Sequence, residues 1–234
     1  FRRIELDASI KAVLLDIDSP GGMVSGLFDL GDEIAALDKK KPVYAVAQNM
    51  ACSAAYAIAA SARDLYVTRN GQAGSIGVIT IHTSMQRMLD SVGLDTTIIH
   101  AGSHKADGNL YQQLSHTARA DMAAGVDRIY SQFVTYVAKA RALSEDAVKA
   151  TEARVYAGPA AVDQGLADGV KSFDEVLSIT RKGRSTRSTR TARAQTQTGA
   201  DMSRNAPAAA AVPSLTEAEC DAIVDGFASM LRGN

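Results

Sequence analysis

The pattern of apolar and polar residues along the first 180 positions predicts strands and helices in alternation. Five short apolar runs have the length and composition of buried strands, and they lie at 12–17, 42–47, 65–68, 78–81 and 96–99. Apolar residues recur at helical spacing in three longer segments, at 24–37, 85–92 and 115–142. This order predicts an α/β fold with a mainly parallel sheet and crossover helices.

The pattern changes after about residue 180. Residues 181–193 are rich in Arg, Ser and Thr, and the segment that follows is mostly Gln, Thr and Ala, so neither buries enough apolar surface to fold alone. Near the end, Ser214 followed three residues later by Glu217 is typical of a helix start. We therefore predict a folded domain over 1–180, a disordered linker over 181–213 and an amphipathic docking helix over 214–234.

The composition excludes several classes of protein. The 234 residues carry a formal charge of −1, so a nucleic acid is not expected as the main partner. Cys52 and Cys220 lie far apart and suggest neither a disulfide framework nor a metal cluster, which fits a reducing compartment. No apolar run is long enough to span a bilayer, and no signal peptide is recognisable. The chain begins with Phe1 rather than Met and reaches a strand pattern early, so we expect that an N-terminal segment is missing.

Ser53 follows a predicted strand and precedes an Ala-rich stretch that favours a helix. Serine is a favoured N-cap, because its oxygen accepts a hydrogen bond from an unsatisfied backbone N–H group at the helix start. A serine at such a turn also lies beside free N–H groups that stabilise an oxyanion, as a nucleophile requires. This stretch alone leaves both interpretations open and favours the cap.

Two other loops carry candidate chemistry. Gly21 and Gly22 permit backbone conformations and close ligand approach, although such residues also form ordinary turns. Lys105 lies in a loop of small residues. A lysine acts as a base where desolvation favours its neutral form, and elsewhere it is a solvated surface residue. None of the four histidines has a local carboxylate arrangement that defines a triad.

Four motifs, in order and spacing, resemble the signal peptide peptidase A family of serine peptidases, which belongs to the ClpP/crotonase superfamily. They read DSPGG at 18–22, MACSA at 50–54, GSIGV at 74–78 and GSHK at 102–105. The loop at 103–109 is most similar to the phage branch, the minor capsid protein C or head-maturation proteases. The resemblance covers about residues 12–176, and it reverses the preference for a capping Ser53.

The resemblance implies a ClpP/crotonase-like fold in which Ser53 is the nucleophile and Lys105 the general base. Ser75 would hydrogen-bond the lysine, and Cys52 would be a small buried packing residue. The oxyanion would be held by backbone N–H groups, at Gly21, Gly22 and Ala54.

The resemblance also implies a function: a serine endopeptidase that processes capsid or scaffold proteins during phage head maturation. It implies a homo-oligomer without metal or cofactor. Expected partners are a polypeptide substrate and capsid, portal or scaffold proteins, with no membrane, in the host cytoplasm, the procapsid or the virion. Three alternatives stay open: a bacterial signal-peptide-degrading peptidase, a crotonase-like acyl-CoA enzyme that needs neither Ser53 nor Lys105, and a non-catalytic capsid component.

Overall fold

The computed structural model describes residues 1–182, which form an α/β fold with a mainly parallel sheet, as predicted. The strands are β1 Val13–Ser19, β2 Val43–Cys52, β3 Asp64–Val67, β4 Gln72–Gly74, β5 Val155–Ala157 and β6 Gly169–Val170. The helices are α1 Arg2–Leu6, α2 Leu27–Asp38, α3 Ala54–Ala60, α4 Gln86–Ser91, α5 His116–Arg141, α6 Glu145–Lys149, α7 Pro159–Asp163 and α8 Phe173–Lys182.

Strand β2 is the centre of this sheet, because neighbours pair with both of its edges. Strand β1 pairs with it in parallel along one edge, while β3 and then β4 pair in parallel with successive parts of the other. Strand β6 extends the sheet beyond β3, and β5 adds an antiparallel strand beside β4. Pairing along both edges fixes the carboxyl end of β2, where parallel sheets commonly bind their ligands.

Helices cover both faces of the sheet, as is usual for parallel strands. On one face, the main core joins apolar residues of the strands to those of α2, α3 and α5. On the other face, a smaller cluster joins Tyr44 and Val46 of β2 to Tyr66 of β3 and Val176 of α8. The alternation along β2, with neighbouring residues in different clusters, follows from the period of two in a strand.

The apolar pattern predicted most elements correctly. The strand predictions at 12–17, 42–47 and 65–68 are confirmed as β1, β2 and β3, and the three helix predictions are confirmed as α2, α4 and α5. Helix α2 begins at Leu27 rather than at 24, because Gly26 turns the chain there with a φ of 73°. The pattern missed α1, α8 and the short strand β4.

Two strand predictions, at 78–81 and 96–99, are wrong, because neither segment forms a strand. Ile79, Ile81 and Ile99 are between 81% and 94% exposed. Within residues 1–182, no strand pairs with these segments. Apolar β-branched residues favour a strand only where a neighbouring strand supplies packing and hydrogen bonds.

The domain boundary was predicted at residue 180, and α8 continues to Lys182. The rest of the predicted linker and the predicted helix at 214–234 lie outside the described residues. None of the described helices combines the length and the apolar character that crossing a membrane requires.

A buried ion pair connects the long helix α5 to the sheet. The Arg141 guanidinium donates to both carboxylate oxygens of Asp168, with N–O distances of 2.8 and 3.2 Å, and to the Gly165 carbonyl at 3.1 Å. Asp168 also accepts a hydrogen bond from the Leu65 N–H group of β3 at 2.7 Å. The Arg141 side chain is 1% exposed and the Asp168 side chain 6% exposed, so each charge depends on the other for compensation.

Replacing Asp168 with Ala should lower the free energy of unfolding by about 3–5 kcal/mol, because it leaves the Arg141 charge buried without its carboxylate. Lys149→Ala is the control, since Lys149 pairs with Glu145 at the surface, and its loss should be at most about 1 kcal/mol. Urea unfolding measures both values. Equal losses in the two variants would contradict a structural role for the buried pair.

Candidate active site

Ser53 joins β2 to α3 and has a backbone conformation that residues other than glycine rarely adopt. Its φ is 52° and its ψ is −125°. Among the helices described in residues 1–182, only α7 is also preceded by a residue with such angles. That residue is Gly158, with a φ of 48° and a ψ of −120°. Glycine adopts such angles freely, whereas a residue with a Cβ is strained by about 1–3 kcal/mol. Retaining a side chain at Ser53 therefore points to a function for its hydroxyl.

The hydroxyl of Ser53 does not cap the following helix. No capping hydrogen bond from α3 reaches the Ser53 side chain. By contrast, Ser115 and Ser144 cap α5 and α6, where each accepts a hydrogen bond at 3.0 Å from the N–H of Ala118 or Ala147. The structure therefore does not support the capping interpretation of Ser53.

The turn after β1 lies directly against Ser53. A Cβ atom added to Gly21 would lie 2.7 Å from the Ser53 Cβ and 3.2 Å from its Oγ, and Gly21 has a φ of 120°. Both facts require glycine at this position. At Gly22 an added Cβ would meet no atom within 4 Å. The backbone of the turn can approach Ser53 only because Gly21 has no side chain.

Three backbone N–H groups in this region were predicted to hold an oxyanion. The Gly21 N–H donates to the Ser19 Oγ at 3.2 Å, so it already has a partner. In the described part of the chain, no hydrogen bond is made by the N–H of Gly22 or of Ala54, which begins α3. Gly22 and Ala54 therefore have donors free for a developing negative charge.

Ser75 directly follows β4, the strand that pairs with the end of β2 before Ser53. Cys52 pairs with Gly74, and the Ser53 N–H donates to the Gly74 carbonyl at 2.9 Å. Ser75 also has a positive φ, of 53°, and its N–H donates to the Arg154 carbonyl at 2.9 Å. The structure thus brings together Ser53, the glycine turn and Ser75, three of the predicted components.

Lys105, the predicted base, lies in an exposed loop between α4 and α5. Its backbone N–H donates to the Gly102 carbonyl at 3.1 Å. Over residues 1–182, no hydrogen bond or ion pair joins its amine to Ser53 or to Ser75. The structure therefore does not assemble a Ser–Lys pair in the single chain.

His104, next to Lys105, forms an ion pair with Asp107 at 2.9 Å. The hydrogen bond that the His104 Nδ1 donates to the Asp107 carboxylate raises the pKa of His104, which favours the imidazolium, a form that cannot accept a proton. His104, Asp107 and Asp121 also place one ligand-type atom each within 4.8 Å of one another, but all three are exposed. Such groups are common in proteins without a bound ion, and we assign no metal site to them.

Cys52 precedes Ser53 and is 5% exposed. Burial raises the pKa of its thiol, so the reactive thiolate is disfavoured. Its surroundings agree with the packing role that the resemblance implied.

A cavity of about 430 Å³ opens beside Ser53, where Gly21 and Ala54 form part of its wall. Most of the side chains in the rest of the wall are apolar, and they include Ile17, Leu27, Leu30 and Ile58. The sequence pattern did not predict this cavity, because its wall combines residues of β1, α2 and α3. Its size and character suit an apolar side chain next to the reacting bond of a bound polypeptide.

A strained serine whose hydroxyl makes no hydrogen bond within residues 1–182, beside a glycine turn at the carboxyl end of a parallel strand, is typical of hydrolases that use a serine nucleophile. Residues 35–187 match peptidase family S49, and the chain belongs to this family. The matched region begins after the Gly21–Gly22 turn. The assignment of that turn to the site therefore rests on its geometry and on the DSPGG motif at 18–22.

Several known proteins are similar to this chain. It is 40% identical over 173 residues to the head-tail preconnector protein GP5 of Enterobacteria phage P21, covering 74% of this chain and 34% of that protein. It is 38% identical over 184 residues to capsid assembly protease C of Escherichia phage lambda, covering 79% and 42%. It is 30% identical over 183 residues to a putative signal peptide peptidase SppA of Enterococcus faecium, covering 77% and 53%. The chain thus spans between a third and about half of these relatives.

Ser53→Gly should be more stable to unfolding than Ser53→Ala by about 1 kcal/mol, because glycine adopts the positive φ without the steric cost of a Cβ. Both variants remove the hydroxyl, so the comparison isolates the backbone. Urea unfolding of the two proteins measures the difference. An alanine variant at least as stable as the glycine variant would show that the turn is not strained.

Gly21→Ala should lower the rate of reaction with a fluorophosphonate probe by about 100-fold, because the new Cβ displaces the turn from Ser53. Gly22→Ala is the matched control, since it adds the same methyl group to open space and keeps the N–H donor. Gel fluorescence of the probe-labelled protein measures both rates. A Gly21→Ala variant as reactive as Gly22→Ala would contradict the close approach.

Proposed function

We propose that this chain is a serine endopeptidase in which Ser53 attacks the peptide carbonyl and Lys105 is the general base. The observation that carries the proposal is the strained Ser53, whose hydroxyl has no hydrogen-bond partner in the described part of the chain and lies against the backbone of Gly21. Strain at a residue that makes no capping contact is readily explained by a catalytic role. The motif around Lys105 supports its assignment as the base.

The reaction would proceed by acyl transfer. The Lys105 amine takes the proton of Ser53, and the Ser53 Oγ forms a bond to the carbonyl carbon. The N–H groups of Gly22 and Ala54, with that of Gly21 once it leaves Ser19, hold the oxyanion. The C–N bond then breaks and the amine leaves with a proton from Lys105. Lys105 then takes a proton from water, whose oxygen attacks the acyl carbon, and returns that proton to the Ser53 Oγ as the ester C–O bond breaks.

For Lys105 to act as the base, its amine must lie beside Ser53 and away from water. The exposed loop of the single chain does not provide this arrangement. A lysine accepts a proton only in its neutral form, which desolvation favours. The active protein must therefore bring Lys105 to Ser53 and exclude water from it, with Ser75 directing the amine. The homo-oligomer that the resemblance implied is one setting in which this loop would be covered.

We propose phage capsid assembly as the setting, with a capsid or scaffold polypeptide as substrate. The two phage relatives, at 40% and 38% identity, are more similar than SppA of Enterococcus faecium at 30%, which supports the phage branch over signal-peptide degradation. The apolar cavity beside Ser53 would hold a side chain of that substrate.

Incubation of the purified chain with candidate capsid and scaffold proteins tests the proposal. The wild-type protein should cleave at least one of them, and Ser53→Ala should be inactive while retaining its fold. Lys105→Arg should also be inactive, because arginine keeps the charge but does not lose its proton. Gel electrophoresis and mass spectrometry of the fragments provide the measurement.

His104→Ala is the matched control for the loop, and it should retain cleavage. Full activity in Lys105→Arg, with loss in His104→Ala, would identify His104 as the base. Near-normal cleavage by Ser53→Ala would exclude the nucleophile assignment. Binding of an acyl-CoA ester without any cleavage would favour the crotonase-like alternative.

A further inference from the structure

Strand β2 contains an irregular segment just before Ser53. Its pairing with β1 is regular up to Ile17 opposite Ala47, and it resumes at Ser19 opposite Ala51. Between these pairs, β1 has one residue, Asp18, whereas β2 has the three residues 48–50. This is a β-bulge of two extra residues, a feature often found beside active sites, where it re-aims a side chain.

The bulge determines which residues of the site face each other. The resumed pair Ser19–Ala51 lies two residues before Gly21 on one strand and two residues before Ser53 on the other. A change of register by one residue would shift one strand along the other by about 3.3 Å. The turn lies so close to Ser53 that a Cβ added to Gly21 would be 2.7 Å from the Ser53 Cβ, and a shift of this size would remove that contact.

Side-chain hydrogen bonds hold the bulge in place. The Asn49 Nδ2 donates to the Asp18 Oδ2 at 2.7 Å, which joins the middle of the bulge to the residue opposite it. The Gln48 Nε2 donates to both carboxylate oxygens of Asp16 at 2.9 Å. The Thr68 Oγ1 donates to the Gln48 carbonyl at 2.6 Å. Of these, the Asn49–Asp18 bond is the nearest in sequence to both Ser53 and Gly21.

We propose that Asn49 and Asp18 are positioning residues: their hydrogen bond fixes the bulge and so holds the Gly21–Gly22 turn against Ser53. The inference rests on the proposed function of Ser53. Both side chains are exposed, and exposed polar pairs contribute little to stability. Loss of this bond therefore affects the reaction rate far more than folding.

The pair allows a test by exchange of its two groups. Asn49→Asp removes the donor and places two carboxylates together, which drives the strands apart at this point. Asp18→Asn combined with Asn49→Asp restores one donor and one acceptor in reversed order, with the wild-type net charge. Gln72→Glu is the matched control, because it adds the same charge to an exposed residue of β4 that pairs with Met50 of the bulge.

The full chain and its variants are reacted with a fluorophosphonate probe, and the maximal rate is separated from the half-saturating probe concentration. Asn49→Asp should lower the maximal rate by about 10- to 100-fold, since small misplacements of reacting groups have effects of this size. Its half-saturating concentration should stay within about threefold of the wild type, and its Tm within about 4 °C. The reversed pair should recover most of the rate, and Gln72→Glu should keep it.

Amide hydrogen exchange gives a second readout that does not depend on catalysis. Exchange at residues 18–24 and 48–54 should be faster in Asn49→Asp and return to the wild-type rate in the reversed pair. A wild-type rate in Asn49→Asp, or a reversed pair as slow as the single variant, would overturn the positioning role. A wild-type protein that does not react with the probe would overturn the proposed function instead, and hydrogen exchange would then decide the positioning role.

Discussion

The close contact between the Gly21 backbone and Ser53 is the constraint on which the rest of the site depends. It needs a residue without a Cβ on one side and a positive φ on the other. It also requires that the carboxyl ends of β1 and β2 lie side by side, and the pairing of Ser19 with Ala51 after the bulge places them so. The hydrogen bond from the Ser53 N–H to the Gly74 carbonyl fixes the same residue from β4. Three strands therefore determine the position of one hydroxyl.

The fold supplies the rigidity that a strained serine requires. Strand β2 is paired on both edges, and residues 43–47 are fully buried. Helix α3 after Ser53 has seven residues, of which six are buried and five are alanines that can pack close to the sheet. A few kcal/mol of strain persist at one residue only when the surrounding structure determines its conformation. The loop with Lys105 contrasts with this, because most of its residues are exposed.

The sequence predicted the parts of the site that depend on local order. A strand, a turn with Ser53 and an Ala-rich stretch define the position of the proposed nucleophile, and Gly21–Gly22 after β1 defines the turn that lies against it. The strands at 78–81 and 96–99 were predicted wrongly, because their composition does not reveal whether another strand lies beside them. The bulge at 48–50 was not predictable either, since the apolar run ends at Ala47 and the pairing partners come from distant parts of the chain. The structure places Lys105 in an exposed loop without a bond to Ser53 among the described residues, and the proposed approach of its amine would need tertiary or intermolecular contacts that local patterns do not contain.

The central claim is that Ser53 is the nucleophile, and peptide mapping of the fluorophosphonate adduct tests it most directly. The probe-treated full chain is digested, and tandem mass spectrometry locates the phosphonyl group. The account predicts one adduct, on the Oγ of Ser53, and none at Cys52 or Ser75. An adduct on another residue, or no adduct in a protein that cleaves polypeptides, would contradict it.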